Sequence, residues 1–328
     1  MLAPSLDDIG DDLIWRPLAR DAWEDVFRQT GRSSLEQSWA YGEAVTARHG
    51  YAMERHVIAA PGAHAERDAG SGTPLALVQA YRKTYWGIGV TRILRGPLWL
   101  IDPLADPRSA AVCAAVARRY RGRRLDFLSW LPELPDDPRS QAVLNALGFR
   151  RVVTGYASAW LDLRQSPQAL LAGLHGKWRA ALRKAEREGL DISLDDKARQ
   201  KQAALLLYDT FRRKKRFVGP PGNFIAAIDA ADGKALLSLS ARQGGKLVAG
   251  VILLRHGTSA TYMASWTSDA GRAGQAHNLL LWRGIETLQR DGIQWLDLGG
   301  LNTESQRGLA RFKLGLGGEV FTLTGSYL

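Results

Sequence analysis

The feature that most constrains the fold is a succession of three strand-length apolar segments, ALLSLSAR, LVAGVILLRHG and SATYMASWTS, within residues 235–268. Gly244 and Gly245 separate the first two. A two-residue link of this kind suits the primed turns that match the twist of paired strands. The segment therefore reads as an antiparallel meander, whose apolar face needs a covering layer. The helical pattern of HNLLLWRGIETLQRDG follows directly and supplies it, and the strand IQWLDLGG and the closing FKLGLGGEVFTLTGSYL come next.

The first half has the same style. DAWEDVFRQT and QSWAYGEAVTARHG carry apolar residues at helical spacing, and PLALVQAYRKTYW reads as a strand entering a hairpin. RILRGPLWLID is a strand ending in a proline-containing turn, PRSAAVCAAVARRYR a helix, RLDFLSWL a strand, and SQAVLNALGF a short helix closing on Gly148. Residues 61–73 read as a polar, glycine-rich loop. YASAWLDL opens the second half as a strand. SPQALLAGLHGKWRAALRKAEREGLDI then reads as one helix capped by Ser166 with Pro167 at its first position, before a further helix over about 198–213. A chain of 328 residues is long enough for about two domains. The expectation is an α/β (α+β) protein with a boundary near residue 160, giving units 1–160 and 161–328, the last strands being free to complete the first unit.

Composition excludes several classes. Hydrophobic residues make up 45% and charged residues 23%, which rules out disorder throughout. No run reaches the roughly 18 uncharged apolar residues of a membrane span. The acidic start, Asp7, Asp8, Asp11 and Asp12, is opposite in charge to the basic head of a secretory signal, so a cytoplasmic protein is expected. The single cysteine, Cys113, lies in AAVCAAVA and reads as helix core, which excludes an internal disulfide. The six histidines show no HxH or HExxH pairing, so no metal is expected. No G-x-S-x-G elbow, Walker loop or strand-linked G-x-G-x-x-G is present, which removes hydrolase, kinase and dehydrogenase readings. The positive clue is charge: 44 Lys and Arg against 33 Asp and Glu give +11. The excess gathers at 117–124, 177–188 and 211–217 and points to a polyanionic partner: RNA, a nucleotide-sugar or an acidic membrane surface.

Four segments carry a resemblance to a known family. KWRAALRKAEREGLDI resembles the basic helix of FemABX-type peptidyltransferases, and AHNLLLWRGIETLQRDGIQWLDLGG resembles their helix and strand leading to an Asp-x-Gly-Gly turn. RFKLGLGGEVFTLTGSY is similar to their closing Phe-Lys-x-x-Phe-Gly-Gly pattern, with Leu316 in place of the second Phe. LEQSWAYGEAVTARHG looks like their Gln-Ser-x-x-Trp helix with shortened spacing. The resemblance implies two tandem GNAT-like domains, each a mixed, largely antiparallel sheet flanked by helices. It also implies transfer of an amino acid from aminoacyl-tRNA, as co-substrate, to an amine of a small or cell-envelope acceptor.

Lys313 is the leading catalytic candidate. Aminolysis of an activated ester puts negative charge on the carbonyl oxygen, and a fixed cation beside Phe312 would stabilise it. The resemblance gives Lys313 that role. Phe312 reads as core or as a stacking surface, Gly317 and Gly318 as a turn. Asp297, at the end of an apolar strand, orients an amine, holds Lys313 or merely forms a turn. Asp102 is the candidate general base, although positioning alone can supply much of the acceleration. The resemblance implies acceptor contacts from Tyr262 and Trp39, and a diphosphate grip from the 212–216 cluster, with Arg216 and Arg213 the leading candidates. It expects a lysine four residues after Trp39, where this chain has Glu43, so the acceptor here need not be a nucleotide-linked peptide.

The donor has alternatives. Lys177, Arg179, Arg183 and Lys184 lie on one helix and would track a tRNA backbone. An acyl-CoA enzyme instead cradles pyrophosphate on backbone N–H groups of a Gln/Arg-x-x-Gly-x-Gly/Ala loop. GRAGQA approaches this pattern, with Gly274 and Ala276 in register but Gly271 at the first position. Acyl-CoA-dependent N-acylation of a saccharide or lipid-linked intermediate, with acyl-CoA as the donor, is therefore the runner-up. A non-catalytic RNA-binding protein on the same fold is the third reading.

Overall fold

The computed structural model describes residues 12–62, 72–121, 126–216, 219–302, 304 and 306–328. The acidic start up to Asp11 and most of the 61–73 loop lie outside the described residues. The chain divides into two compact units, residues 1–156 with 322–328, and residues 157–321.

The first unit runs β1 (Ile14–Pro17), α1 (Arg20–Gln29), a short 3-10 turn (Leu35–Gln37), α2 (Trp39–His49), β2 (Ala52–Pro61), β3 (Gly72–Tyr85), β4 (Ile88–Leu94), β5 (Leu98–Trp99), α3 (Arg108–Arg121), β6 (Asp126–Leu131), α4 (Pro138–Ala146) and β7 (Arg151–Val153). In α1, Trp23 and Phe27 are one turn apart and fully buried against Val57, Leu77 and Leu98. In α3, Val112, Cys113, Val116 and Tyr120 form the buried stripe and pack with Val78, Ile93, Leu128 and Trp130. Cys113 is thus core, as its surroundings predict, and burial pushes its thiol up to about 12. Side chains cap two helices: Ser38 Oγ accepts from Tyr41 N at the start of α2 (3.2 Å), and Asp137 Oδ1 accepts from Arg139 N at the start of α4 (2.7 Å).

The second unit runs β8 (Ala157–Asp162), α5 (Pro167–Gly173), α6 (Gly176–Arg187), β9 (Asp191–Leu194), α7 (Ala198–Lys215), α8 (Gly222–Asp232), β10 (Leu236–Gln243), β11 (Lys246–His256), β12 (Ser259–Thr267), α9 (Asp269–Ala273), α10 (Ala276–Arg290), β13 (Trp295–Asp297), α11 (Arg307–Leu314) and β14 (Glu319–Thr322). Its sheet has the order β14-β8-β13-β12-β11-β10-β9. The meander is present, with Gln243 opposite Lys246 across the two-glycine turn. Leu280, Leu281, Ile285 and Leu288 of α10 lie in one cluster with Leu237, Leu239, Val251 and Leu253 of the meander. This cluster is the covering layer that the meander requires.

Three readings of the sequence are corrected. The stretch 167–187 is two helices, because Leu174 is extended and buried while His175 Nδ1 caps the second by accepting from Lys177 N (3.3 Å). Arg311–Leu314 ends α11 rather than leading into a strand; eight residues are too few for a helical period to be read. The closing strands do not pair together. Instead β14 adds to the second sheet, while β15 (Ser326–Tyr327) returns to the first, whose order is β1-β2-β3-β4-β6-β15-β7 with β5 beside β3.

Tyr327 therefore anchors the chain end in the first core. It is 1% exposed, lies opposite Trp130 and bonds Thr324 Oγ1 (2.9 Å). Tyr327→Ala is expected to cost about 3 kcal/mol through lost burial and the cavity left behind, read as a lowered thermal unfolding midpoint.

Candidate active site

β12 and β13 run parallel only from Ser259 to Thr261 opposite Trp295 to Asp297. Beyond that point β12 continues to Thr267 while β13 ends, so the sheet opens. A bulge modifies β12 at the same place: Leu253 pairs with Tyr262 and Ile252 with Ala264, leaving Met263 as the extra residue. Residues three apart on a regular strand face opposite ways, but the bulge restores Tyr262 and Ser265 to one face. Tyr262 Oη donates to Ser265 Oγ across it (2.6 Å). Burial pushes the Tyr262 phenol up to about 12, so it stays protonated at neutral pH.

Lys313 points into this region from the last turn of α11. Its side chain is buried, its Nζ donates to Gly300 O (2.9 Å), and the ammonium lies 5.5 Å from the Tyr262 ring centroid. The turn beside it requires glycine at position 299. Its φ is +71°, and a Cβ there would lie 2.9 Å from Tyr262 O and 3.4 Å from Lys313 Nζ. The LDLGG turn is held by Asp297, fully buried, which accepts from Gly299 N (2.8 Å) and from Ser158 Oγ. Desolvation lowers the Lys313 pKa to about 8, and the Asp297 charge opposes the fall. At pH 7 the ammonium is thus mostly charged, inside a site that offers it little water.

Phe312, next along α11, is half-buried between Trp178 of α6 and His277 of α10, with ring centroids at 5.8 and 6.1 Å. Trp178 Nε1 and His277 Nε2 are buried without a hydrogen-bond partner. Burial lowers the His277 pKa to about 4, so the ring is neutral. The basic helix α6 places Trp178, Leu182 and Ala185 inward and Lys177, Arg179, Arg183, Lys184 and Arg187 on the opposite half. Arg179 caps the preceding helix through Ala172 O (3.2 Å), while Lys177 and Arg183 are exposed.

Lys184 reaches the glycine-rich loop and donates to Ala273 O (2.9 Å). Four of the loop's six amides are occupied: Gly271 N by Ser268 Oγ (3.1 Å), Arg272 N by Ser268 O (2.9 Å), Gly274 N by Ala270 O (2.9 Å) and Gln275 N by Arg272 O (3.2 Å). Ala276, fully buried, begins α10. Residues 269–273 form the short helix α9 instead of an open cradle of N–H groups.

The remaining candidates are placed as follows. Asp102 is exposed and its Oδ1 accepts from Leu104 N (2.9 Å) and Ala105 N (3.2 Å), a turn-forming role. Arg213 is exposed near the end of α7 with its Nε 3.3 Å from Asp209 O, and Arg216 is the exposed C-cap with φ +52°. In the first unit, Trp39 and Glu43 lie on α2 around a cation that the sequence reading did not identify. The Arg55 guanidinium stacks 3.6 Å from the Trp39 ring centroid and bonds Glu43 Oε1 (2.9 Å) and Gln79 Oε1 (2.6 Å). Also unanticipated is a cleft of about 260 Å³ beneath α7, where buried Asp195 accepts from Ser238 Oγ (3.0 Å) and Ser240 Oγ (2.9 Å). The signal for it was the pair of serines alternating with leucine in ALLSLSAR. Among the described residues no cluster of His, Cys, Asp and Glu could hold a metal, and no helix is long and apolar enough to cross a membrane.

Residues 174–320 match the family described as Acetyltransferase (GNAT) domain. Of the solved structures, FemX superposes with a TM-score of 0.77 at 12% identity, covering 96% of each chain. A tandem GNAT protein from the clavulanic acid biosynthesis pathway, solved without AcCoA, gives 0.54 at 16% identity over 96% of this chain and 97% of its own. The C-terminal domain of a putative lysylphosphatidylglycerol synthetase from Agrobacterium fabrum gives 0.52 at 14% identity, covering 94% and 91%. No curated protein matches the sequence.

The depressed Lys313 pKa makes a stability prediction. Below about pH 8 both the folded and unfolded chains hold this proton. Between about 8 and the unfolded value near 10.4 the unfolded chain holds more protons, so folding gains stability as pH rises. Relative to Lys313→Met, the native protein should therefore gain up to about 3 kcal/mol on going from pH 7 to 10.5. Paired chemical denaturation curves check this, and a pH-independent difference refutes it.

Proposed function

We propose that this acyltransferase of tandem GNAT fold moves an aminoacyl group from aminoacyl-tRNA to the amine of a small or cell-envelope acceptor, forming an amide. The observation that carries the reading is the buried, charged Lys313 ammonium beside the opened strand pair. In this reaction the amine nitrogen attacks the ester carbonyl carbon, and a C–N bond forms as the carbonyl π electrons move to oxygen. Lys313 stabilises that oxyanion, in a low-dielectric setting where a fixed cation acts most strongly. Collapse breaks the C–O bond to the ribose, and the proton lost by the amine ends on the ribose oxygen.

The roles of the neighbours follow from their contacts. Asp297 is a positioning residue: it fixes the Gly299 backbone and keeps Lys313 charged, and its bonds to Ser158 and Gly299 occupy it. Tyr262 presents its ring to the ammonium, and Phe312 forms an aromatic wall with Trp178 and His277. With Asp102 exposed and engaged in its own turn, holding the amine against an activated ester supplies the acceleration without a dedicated base. Trp39, Arg55 and Glu43 offer an acceptor a cation and an acid side by side. Arg213 and Arg216 offer an exposed phosphate contact.

The donor choice is supported by the glycine-rich loop, where the amides of Gly271, Arg272, Gly274 and Gln275 are bonded within the loop and α9 and the Ala273 carbonyl is tied to Lys184. Pyrophosphate would have to displace those bonds. The exposed basic half of α6 suits a nucleic-acid backbone instead. The likeness to a lysylphosphatidylglycerol synthetase domain fits an aminoacyl donor, whereas the tandem GNAT protein solved without AcCoA keeps acyl-CoA as the competing donor.

Filter binding against charged tRNA at two salt concentrations, beside thermal shifts with CoA thioesters, tests the reading. Salt-sensitive tRNA retention with no CoA shift is expected, and a CoA shift with weak tRNA retention overturns it. Lys313→Met is expected to lower single-turnover transfer by about 100-fold or more while tRNA retention is unchanged. Transfer at wild-type rate refutes the role given to Lys313.

A further inference from the structure

The β3–β4 hairpin of the first unit ends in a two-residue turn, Trp86–Gly87, between the paired residues Tyr85 and Ile88. Both turn residues have positive φ, +48° and +81°, the signature of a type I′ turn. That turn favours Asn-Gly. A tryptophan in its first position adopts a backbone region that bulky L residues rarely occupy. The side chain is also 102% exposed, with no contact to offset either cost. An outlier of this kind, confined to an exposed tip, points to a role outside the fold itself.

The residues around Trp86 extend the pattern. Tyr85, Ile88 and Phe127 are exposed large hydrophobics. The register places them together: Tyr85 is opposite Ile88, Lys83 opposite Val90, and Val90 opposite Phe127, so these five side chains share one face of the sheet. The cations on this face are Lys83 and, two residues beyond Val90, exposed Arg92. Lys83 Nζ donates to His49 O (2.9 Å) and sits over the Tyr51 and Tyr85 rings, 5.6 and 5.3 Å from their centroids. The strand acid at this end, Asp126, is on the reverse face, where it pairs with Arg82 (3.2 Å). The face thus combines an aromatic tip, aliphatic and aromatic flanks and positive charge, with its acid turned away and neutralised.

We propose that the β3–β4 hairpin, through Trp86, Tyr85, Ile88 and Phe127 flanked by Lys83 and Arg92, docks the first unit on an anionic lipid bilayer. Indole and phenol rings favour the boundary between headgroups and acyl chains, and basic side chains meet the negative surface above it. The chain's charge of +11 supports the same partner. A single aromatic tip gives shallow, reversible binding that combines apolar burial with electrostatic attraction. The proposal is independent of the donor that the second unit uses.

Co-sedimentation of the full chain with phosphatidylglycerol-containing vesicles, and with vesicles of phosphatidylcholine alone, tests it at low and high salt. The expected result is binding to the anionic vesicles that weakens with salt. Trp86→Asn should weaken it by at least about tenfold, from the apolar area withdrawn. Asn is the better residue for this turn, so the variant keeps or raises the unfolding midpoint, and loss of binding cannot be assigned to misfolding. Lys83→Gln should reduce the preference for phosphatidylglycerol. Quenching by brominated lipid should fall in Trp86→Asn relative to the native chain. The proposal is overturned by absence of vesicle binding, by equal binding to the two lipid compositions, or by undiminished binding of Trp86→Asn. It is also overturned if sedimentation equilibrium without lipid shows self-association that Trp86→Asn abolishes, which would make the face an interface between copies of this chain.

Discussion

An ammonium group kept charged while nearly dry is the constraint on which the second unit's site depends. Burying a cation is unfavourable unless opposite charge and hydrogen bonding offset the lost hydration. Around Lys313 the offset comes from the Asp297 charge, the Gly300 carbonyl and the face of the Tyr262 ring. Each of these places a demand on the chain. Asp297 must itself be satisfied, which Ser158 and the Gly299 amide accomplish. Gly299 must lack a side chain, because its φ is +71° and a Cβ would lie 2.9 Å from Tyr262 O. Tyr262 must face the same side as Ser265, which the bulge at Met263 arranges. The strand ends, the turn and the bulge are therefore parts of one electrostatic arrangement.

Much of this was legible in the sequence, and the parts that were not have identifiable physical reasons. The meander, the α10 layer and the α3 core follow from apolar periodicity, which reports burial directly. Lys313, Phe312 and Asp297 were singled out by a motif, and the fold brings Lys313 and Asp297 into electrostatic contact across 16 positions of chain. Pattern reading failed where the competing signals were shorter than a period. The eight residues of α11 and the break at Leu174 and His175 are both decided by individual contacts, the latter by a histidine cap and a bond from His175 N to Gly315 O. The separation of β14 from β15 is a pairing choice between two sheets, and nothing local to FTLTGSY encodes it. Asp195 escaped notice because a carboxylate satisfied by two strand serines forms no recognisable spacing.

The helix α6 joins two properties that the sequence presents separately. Its apolar stripe fixes it to the core, and this alone orients the basic residues outward. Lys184 is then close enough to the 271–276 loop to bond a carbonyl, in a segment where the amides of Gly271, Arg272, Gly274 and Gln275 already have partners. An anion cradle requires several N–H groups converging on one point without internal partners. Here the sequence pattern for such a cradle persists in outline while the backbone conformation engages four of its six amides. Gly274 N is bonded to Ala270 O, Ala276 opens α10, and Lys184 brings a side-chain positive charge to this end of the unit.

The first unit illustrates the same separation of sequence position from physical role. Glu43 stands where the resemblance expects a lysine, and on the sequence alone that substitution reverses the local charge. In the folded unit Arg55 of β2 stacks on Trp39 and bonds Glu43, so a cation is restored from a different strand. Gly42 is what permits this, since a Cβ there would lie 2.5 Å from the Arg55 guanidinium and 2.3 Å from Gln79 Oε1. The guanidinium is also tied to Gln79, whose backbone and side chain are bonded in turn to Gln37 and Ser38. The cation is therefore held more rigidly than a lysine on the surface of α2 would be. A planar, fixed guanidinium with an adjacent carboxylate presents fixed geometry as well as charge, so under the proposed acceptor role the departure at position 43 would change the acceptor chemistry of this surface rather than remove it.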